Sequence, residues 1–254
     1  MNKIMKLMFI AIIAITTLNA QTALESIVKK GKLVLGTSGN MTPMTRSIDK
    51  GKDAVGFDID LAKAMAQSMG VELEIKVIAF DKLIPALKSG KVDVIISNMT
   101  ITPKRNTQVA FVGPYLISGK CLITKKADIA SAKKEELNKA SNKMVVLNGT
   151  TDEDFVRVVM PKVEAVTVTT QEEAIALVRN SKVSAMLSEY PICKAIIANN
   201  PDDNFISIGS NLTYEPIGVA IAPQNTHLIN YTQNFFMRAD KLGLFKVLGE
   251  KWFK

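Results

Sequence analysis

The fold is decided by the stretch GFDIDLAKAMAQSMGVELEIKVIAFDKLIPALKSGKVDVIIS, residues 56–97. Within it, Phe57 to Met69 carries apolar residues at helical spacing and ends before a glycine, which favours helix termination. Glu72 to Ile78 then predicts a strand, Asp81 to Lys88 a second helix, and Val92 to Ser97 a buried strand. Strands that alternate with helices of this length indicate parallel sheets covered by helices on both faces.

The same alternation extends in both directions from this stretch. Lys32 to Thr37 is a further β-prone run, and the second half of the chain repeats the pattern. Strands are predicted there near Met144 to Leu147, Ala165 to Val168, Ser184 to Leu187 and Ile217 to Ile221, and helices near Asp152 to Met160, Gln171 to Asn180, Pro191 to Ala198 and His227 to Leu242. The fold class is therefore α/β. No Pro/Gly/Ser-rich linker interrupts the pattern, so two domains would have to be joined by ordered strands.

The first twenty residues have the layout of a secretory signal peptide. Lys3 and Lys6 precede an apolar run from Leu7 to Ile15, and a more polar stretch ends at Ala20. The run of nine apolar residues is far shorter than the ~20 that a spanning helix needs. We expect cleavage after Ala20 and no lipid anchor, since no cysteine lies near that position.

The composition argues against several classes of protein. The formal charge of +8 falls to +6 when Lys3 and Lys6 are removed with residues 1–20, which contain no acid. The remaining lysines are scattered rather than arranged in a stripe with aromatics, so a nucleic-acid partner is not expected. Cys121 and Cys193 are the only cysteines, and we expect two unpaired thiols, although export would permit a disulfide. With one histidine, no metal site and no cofactor are expected.

Several ordered segments resemble the extracellular solute-binding proteins of the polar amino acid type. The resemblance covers nearly the whole chain after residue 20. It is carried by Gly56 to Leu61 with Met65-Ala66, Phe80 to Leu87, Ser89 to Asp93, Met99 to Arg105, Phe111 to Tyr115, Asn148 to Thr151 and Ala185 to Glu189.

The resemblance implies a two-lobe periplasmic-binding-protein fold of type II, which closes on its ligand like a hinge. Each lobe would be a mainly parallel sheet flanked by helices. Lobe one would comprise residues 24–116 and 217–254, and lobe two residues 117–216 with two crossing hinge strands. The implied protein is a periplasmic monomer that captures a free amino acid and delivers it to the permease of an ABC importer.

The family pattern also implies which residues hold the two charged ends of an amino acid. Arg105 matches the arginine that clamps the α-carboxylate, a task that suits the planar guanidinium. Asn98 and Thr100 follow a strand, where open α/β sheets bind ligands. Thr150 and Thr151 precede a helix whose free amides favour an anion, although ordinary helix capping would also explain them.

The other candidate residues concern the ligand ammonium and side chain, and most of them differ from the usual family residue. Glu189 stands where relatives usually have the aspartate that pairs with the α-ammonium. Phe80 matches an aromatic that packs on the ligand side chain, while Met41 and Met44 replace the more usual Tyr or Phe. Ser38 replaces an aspartate found in several binders of cationic or amide side chains. Glu215 either reaches the cleft or is a solvated hinge charge.

Two functions remain in competition at this level. The first is a non-catalytic carrier whose ligands rank as cationic slightly ahead of neutral, and both well ahead of acidic amino acids. The second is a dehydratase of prephenate or arogenate on the same fold, for which Glu189 is the only candidate general acid.

Overall fold

The computed structural model describes residues 22–209 and 213–253. The predicted signal peptide, residues 1–20, lies outside the described residues. The helices of the described residues are α1 (Ala23–Lys30), α2 (Phe57–Met69), α3 (Leu83–Lys88), α4 (Pro103–Asn106), α5 (Ala127–Ser131), α6 (Lys134–Leu137), α7 (Thr151–Val159), α8 (Gln171–Arg179), α9 (Tyr190–Asn199), α10 (Thr226–Lys241) and α11 (Leu244–Trp252). Its strands are β1 (Lys32–Thr37), β2 (Asn40–Met41), β3 (Thr45–Ile48), β4 (Asp53–Val55), β5 (Glu72–Val77), β6 (Val94–Ile95), β7 (Ala110–Ser118), β8 (Lys120–Thr124), β9 (Lys143–Leu147), β10 (Glu164–Val168), β11 (Ala185–Glu189), β12 (Ile206–Ile208) and β13 (Glu215–Ile221).

Two five-stranded sheets form the centres of two lobes. The lobe-one sheet has the order β5-β1-β6-β13-β7, and the lobe-two sheet has the order β10-β9-β11-β8-β12. In each sheet three strands pair in parallel, and two antiparallel strands complete the other edge. The predicted α/β two-lobe fold is confirmed. Strands β2, β3 and β4 form a small separate sheet that the sequence did not predict.

The chain crosses between the lobes on β7 and β13. These strands pair antiparallel from Ala110↔Ile221 to Ser118↔Glu215. After Ser118 the chain enters the second sheet, and at Glu215 it returns to the first. The crossing segments are thus ordered strands, and the proposed lobe limits at residues 116 and 217 fall within them.

The start of helix α2 requires a glycine at position 56 and an apolar residue after it. Gly56 has φ 145°, and a Cβ there would lie 2.2 Å from the carbonyl oxygen of Met44, so only glycine fits. The next residue, Phe57, is buried and stacks on Tyr115 and Phe253, with ring centroids 6.0 and 5.1 Å apart. The start of the helix is therefore fixed against the lobe-one core, and with it Asp58.

The expectation of two unpaired thiols is wrong. Cys121 and Cys193 form a disulfide, with their Cα atoms 6.6 Å apart. Cys121 lies on β8 and Cys193 on α9, which packs on that strand, and both are fully buried. Their separation of 72 residues gave no sign of this proximity.

A search of the described helices finds no segment with both the length and the apolarity needed to cross a membrane.

Candidate ligand-binding site

A cleft between the lobes lies at the carboxyl ends of β6, β9 and β11. The lining consists of Met41, Phe80, Asn98, Thr100, Arg105, Leu147, Thr150, Thr151, Asp152, Gln171, Met186, Ser188, Glu189 and Ile192. Eight of the eleven residues predicted from the sequence are therefore brought together here.

Arg105 projects from α4 into this cleft. Its side chain is buried beside Phe80, with Cζ 5.3 Å from the ring centroid. One terminal nitrogen donates to the carbonyl of Thr100 at 2.9 Å, and the other donates to the carbonyl of Gly149, across the cleft, at 3.1 Å. Burial lowers the pKa of Arg105 from its ordinary value, but a guanidinium stays protonated in proteins and has five N–H donors. Two are occupied by these carbonyls, and the group retains donors for a carboxylate.

Asn98 occupies a special backbone conformation at the cleft. It has φ 49°, in the left-handed region that asparagine tolerates better than most residues. The backbone amide of Asn98 donates to Asp58 Oδ2 at 2.6 Å, and the hydroxyl of Tyr115 donates to the other oxygen of Asp58 at 2.8 Å. Burial raises the pKa of Asp58 to about 7, against these two hydrogen bonds, which lower it. The residues at the start of α2 thus hold Asn98 in place.

The lobe-two wall is the start of helix α7. Thr150 is the N-cap residue, and its hydroxyl accepts from the amide of Glu153 at 3.4 Å. Thr151 opens the helix, and its hydroxyl lies 3.4 Å from that of Thr100 in lobe one. The first amides of a helix have no partner within the helix and favour an anion. Capping by Thr150 is therefore compatible with an anion at the amides that follow it.

Glu189 ends β11 on the same wall and faces lobe one. Its carboxylate accepts a hydrogen bond from the side-chain amide of Asn98. Burial, and after it the nearby carboxylate of Asp152, raise the pKa of Glu189 to about 8, although Lys120 and Asn98 lower it. A positive charge placed beside this buried acid would favour its ionised form and lower its pKa.

Three of the predicted residues lie outside the lining of the cleft. Met44 is fully buried in the lobe-one core, because its carbonyl accepts from the amide of Asp58 and holds the segment against α2. Ser38 follows β1, and its buried hydroxyl has no hydrogen-bond partner among the described residues. Glu215 lies behind the cleft at the start of β13, buried rather than solvated, where it contacts Thr151 and Lys120.

The sequence did not predict a buried cluster of charges around Lys120 or a side-chain amide, that of Gln171, which connects the lobes. Lys120 is 1% exposed, and its ammonium lies 2.7 Å from Asp152 and 3.4 Å from Glu215. The only sign of this burial in the sequence is that the lysine directly precedes the apolar run Cys121 to Ile123. Gln171 lines the cleft, and its Oε1 accepts from the amide of Thr42 at 2.9 Å.

Several other contacts join the lobes around the cleft. Asn40 donates to the carbonyl of Thr169 at 2.7 Å, and Lys104 forms an exposed ion pair with Asp154 at 3.4 Å. Together with the Arg105 and Asn98 contacts, they enclose the cleft on more than one side. The described residues contain no group of three or more His, Cys, Asp or Glu side chains arranged to hold a metal ion.

Two lobes that enclose a small cleft at the carboxyl ends of their strands are typical of proteins that close around a ligand, periplasmic binding proteins among them. Residues 33–254 match the family described as bacterial extracellular solute-binding proteins, family 3. The chain belongs to this family, as the resemblance predicted.

Individual relatives agree with this assignment. The chain is 28% identical over 254 residues to the ABC transporter arginine-binding protein 1 of Escherichia coli K12, covering 98% of both chains. An ancestral amino-acid-binding protein, described as a precursor of cyclohexadienyl dehydratase, superposes with a TM-score of 0.83 at 36% identity, covering 91% of this chain and 99% of that one. A putative ABC transporter binding component from Wolinella succinogenes, complexed with lysine, gives a TM-score of 0.83 at 33% identity, covering 88% and 96%. The predicted class, an amino-acid-binding component of an ABC transporter, is confirmed.

Proposed function

We propose that this protein binds a free amino acid with a cationic side chain, such as arginine or lysine, and delivers it to the permease of an ABC importer. One observation carries the choice of side chain. The buried ionisable groups at the cleft are two cations, Arg105 and Lys120, and three carboxylic acids, Asp152, Glu189 and Glu215. With every group ionised, as expected for Glu189 once a ligand ammonium lies beside it, the site has one negative charge in excess.

A bound cationic amino acid balances this charge. Its α-carboxylate and α-ammonium cancel, and its side chain supplies the single positive charge that the cleft lacks. An acidic amino acid would instead add a second uncompensated negative charge in a buried site, which costs several kcal/mol.

Each end of the ligand has a matching wall. The α-carboxylate would meet Arg105, the hydroxyl of Thr100 and the start of α7 at Thr150 and Thr151. The α-ammonium would replace or share the contact between Asn98 and Glu189. Met41 and Phe80 supply an apolar, adaptable surface for the methylene stem.

Calorimetric titration with lysine, arginine, glutamine, leucine and glutamate tests this proposal. We expect the cationic ligands to bind most tightly and glutamate most weakly, because only the former neutralise the cleft. Glutamate binding most tightly would contradict the proposal. Asp152→Asn serves as the matched variant: it should narrow the advantage of arginine over glutamine, since it removes the excess negative charge.

We propose binding without turnover. Glu189 has the raised pKa of a general acid, but prephenate carries two carboxylates and would need a second free cation. Lys120 is already paired with Asp152 and Glu215. Incubation with prephenate should therefore give no phenylpyruvate by ultraviolet absorbance, and its formation would support the dehydratase instead.

The periplasm is the expected location for such a carrier. We expect mass spectrometry of the periplasmic protein to find an N-terminus at Gln21 or within a few residues of it, because residues 1–20 have the layout of a cleaved signal peptide. An intact Met1 on membrane-bound protein would contradict this expectation. We propose that the mature protein acts as a monomer.

Ligand entry requires the lobes to separate. The residues that line the cleft are mostly buried, and Arg105–Gly149, Asn98–Glu189 and Thr42–Gln171 contacts join the lobes. We therefore expect an open form without ligand and the closed form with it. Small-angle scattering should give a smaller radius of gyration at saturation, whereas identical curves would indicate a rigid site.

A further inference from the structure

Lys120 occupies a position that the amino-acid clamps do not explain. It begins β8, directly after the hinge strand β7, and its side chain is 2% exposed. Its ammonium pairs with Asp152 on α7 and with Glu215 at the start of the other hinge strand, β13. The backbone amide of Lys120 also donates to the hydroxyl of Thr213 at 3.3 Å. One buried side chain thus joins both hinge strands to the helix that lines the cleft.

The same ammonium contacts a residue of the cleft itself. Lys120 Nζ lies 3.0 Å from Thr151 Oγ1. An ammonium can only donate hydrogen bonds, so Thr151 Oγ1 must accept from it. The hydroxyl proton of Thr151 must therefore be donated elsewhere. Within reach are Glu215 Oε2 at 3.2 Å and Thr100 Oγ1, across the cleft, at 3.4 Å.

We propose that Lys120 is a positioning residue for the ligand α-carboxylate, which acts by committing the Thr151 hydroxyl to donate its proton. Without ligand, that proton goes to Glu215. With ligand, the hydroxyl rotates and donates to the carboxylate beside Arg105. Asp152 and Glu215 balance the charge of Lys120, so the cation can remain buried without attracting the ligand directly. The inference rests on the proposed function, because Thr151 has this role only when an amino acid occupies the cleft.

A double-mutant cycle distinguishes this role from a merely structural one. L-Arginine affinity is measured by calorimetry for the wild type, Lys120→Met, Thr151→Val and the double variant. We expect each single change to weaken binding about tenfold or more, the size of a hydrogen bond to a charged group. Lys120→Met should then weaken binding by no more than about twofold when Thr151 is already valine. Loss by the same factor in both backgrounds would overturn the inference.

A second set of variants covers the case in which Lys120→Met does not fold. Lys120→Met/Asp152→Asn/Glu215→Gln removes all three charges of the cluster, so no buried charge is left unpaired. In this background Thr151→Val should cost far less affinity than in the wild type, because the hydroxyl is no longer committed to donation. An equal cost in both backgrounds would overturn the inference.

Failure of the proposed function gives a different result. If the wild type binds none of the twenty amino acids, the proposed function fails, and the Lys120 inference fails with it. If the wild type prefers another amino acid to arginine, the cycle is run with that ligand, since the α-carboxylate is common to all. If the protein binds an amino acid but the cycle is additive, the Lys120 inference is overturned while the proposed function stands.

Discussion

Arg105→Ala should weaken amino-acid binding by roughly 2–5 kcal/mol, the usual penalty for truncating one partner of a buried charge pair. The variant would leave the ligand carboxylate facing only Thr100 and the start of α7. It would also remove the hydrogen bond from Arg105 to Gly149 across the cleft, so closure of the lobes should suffer with affinity. Calorimetry with L-arginine measures the first effect, and scattering with and without ligand measures the second.

The adjacent residue provides the matched control. Lys104 carries the same charge and also faces lobe two, but its ion pair with Asp154 is exposed, with 77% and 57% of the two side chains accessible. Exposed pairs contribute about 0–1 kcal/mol, so Lys104→Ala should have little effect on affinity. Thermal unfolding of both variants checks that the fold is intact. An Arg105→Ala affinity within about threefold of the wild type, against a loss of ~30-fold or more expected from the same principle, would mean that the carboxylate binds elsewhere.

The parts of the fold that the sequence predicted are those with local patterns. Strand β1 occupies the predicted residues, Lys32 to Thr37, and α2 ends at Met69 as predicted. Periodicity failed where the backbone is irregular or the contacts are distant. The predicted strand from Val92 to Ser97 pairs as a named strand only at Val94–Ile95, because the chain then turns through the left-handed Asn98. Periodicity did not predict β7, because Pro114 interrupts a strand-like run, although the family resemblance implied a crossing strand between the lobes.

The candidate site divides along the same line. Motif resemblance predicted Arg105, Thr151 and Glu189, which line the cleft. It did not predict Lys120, since a lysine in sequence indicates a solvated charge. Its burial depends on Asp152 and Glu215, which are 32 and 95 positions away. The charge balance on which the proposed preference for a cationic side chain rests is a property of the folded arrangement, and no single segment contains it.

Amino-acid affinity should rise as the pH rises toward 8. In the unliganded protein burial raises the pKa of Glu189 to about 8, with a contribution from Asp152. A ligand ammonium beside this carboxylate favours its charged form and lowers its pKa. The liganded protein therefore binds fewer protons than the free protein at pH values below about 8, and a proton is released on binding. By linkage, affinity increases with pH in this window, by about tenfold or more between pH 6 and pH 8, and levels off above it.

The groups that face Glu189 determine how far this pH dependence extends. Asp152 and Glu215 raise its pKa, while Lys120 on β8 and the amide of Asn98 in lobe one lower it. Calorimetry in buffers of different ionisation enthalpy should detect up to about one proton released per ligand near pH 7.

Glu189→Gln should abolish the release and flatten the pH profile. It should also cost about 2 kcal/mol or more in affinity, because the ammonium loses its charged partner. Asp58→Asn is the control, because Asp58 is a buried acid of lobe one whose pKa burial raises to about 7. It lies behind Asn98, so proton release should persist in that variant. A wild-type affinity that is constant from pH 6 to pH 8, with no proton exchanged, would remove Glu189 from the ammonium site.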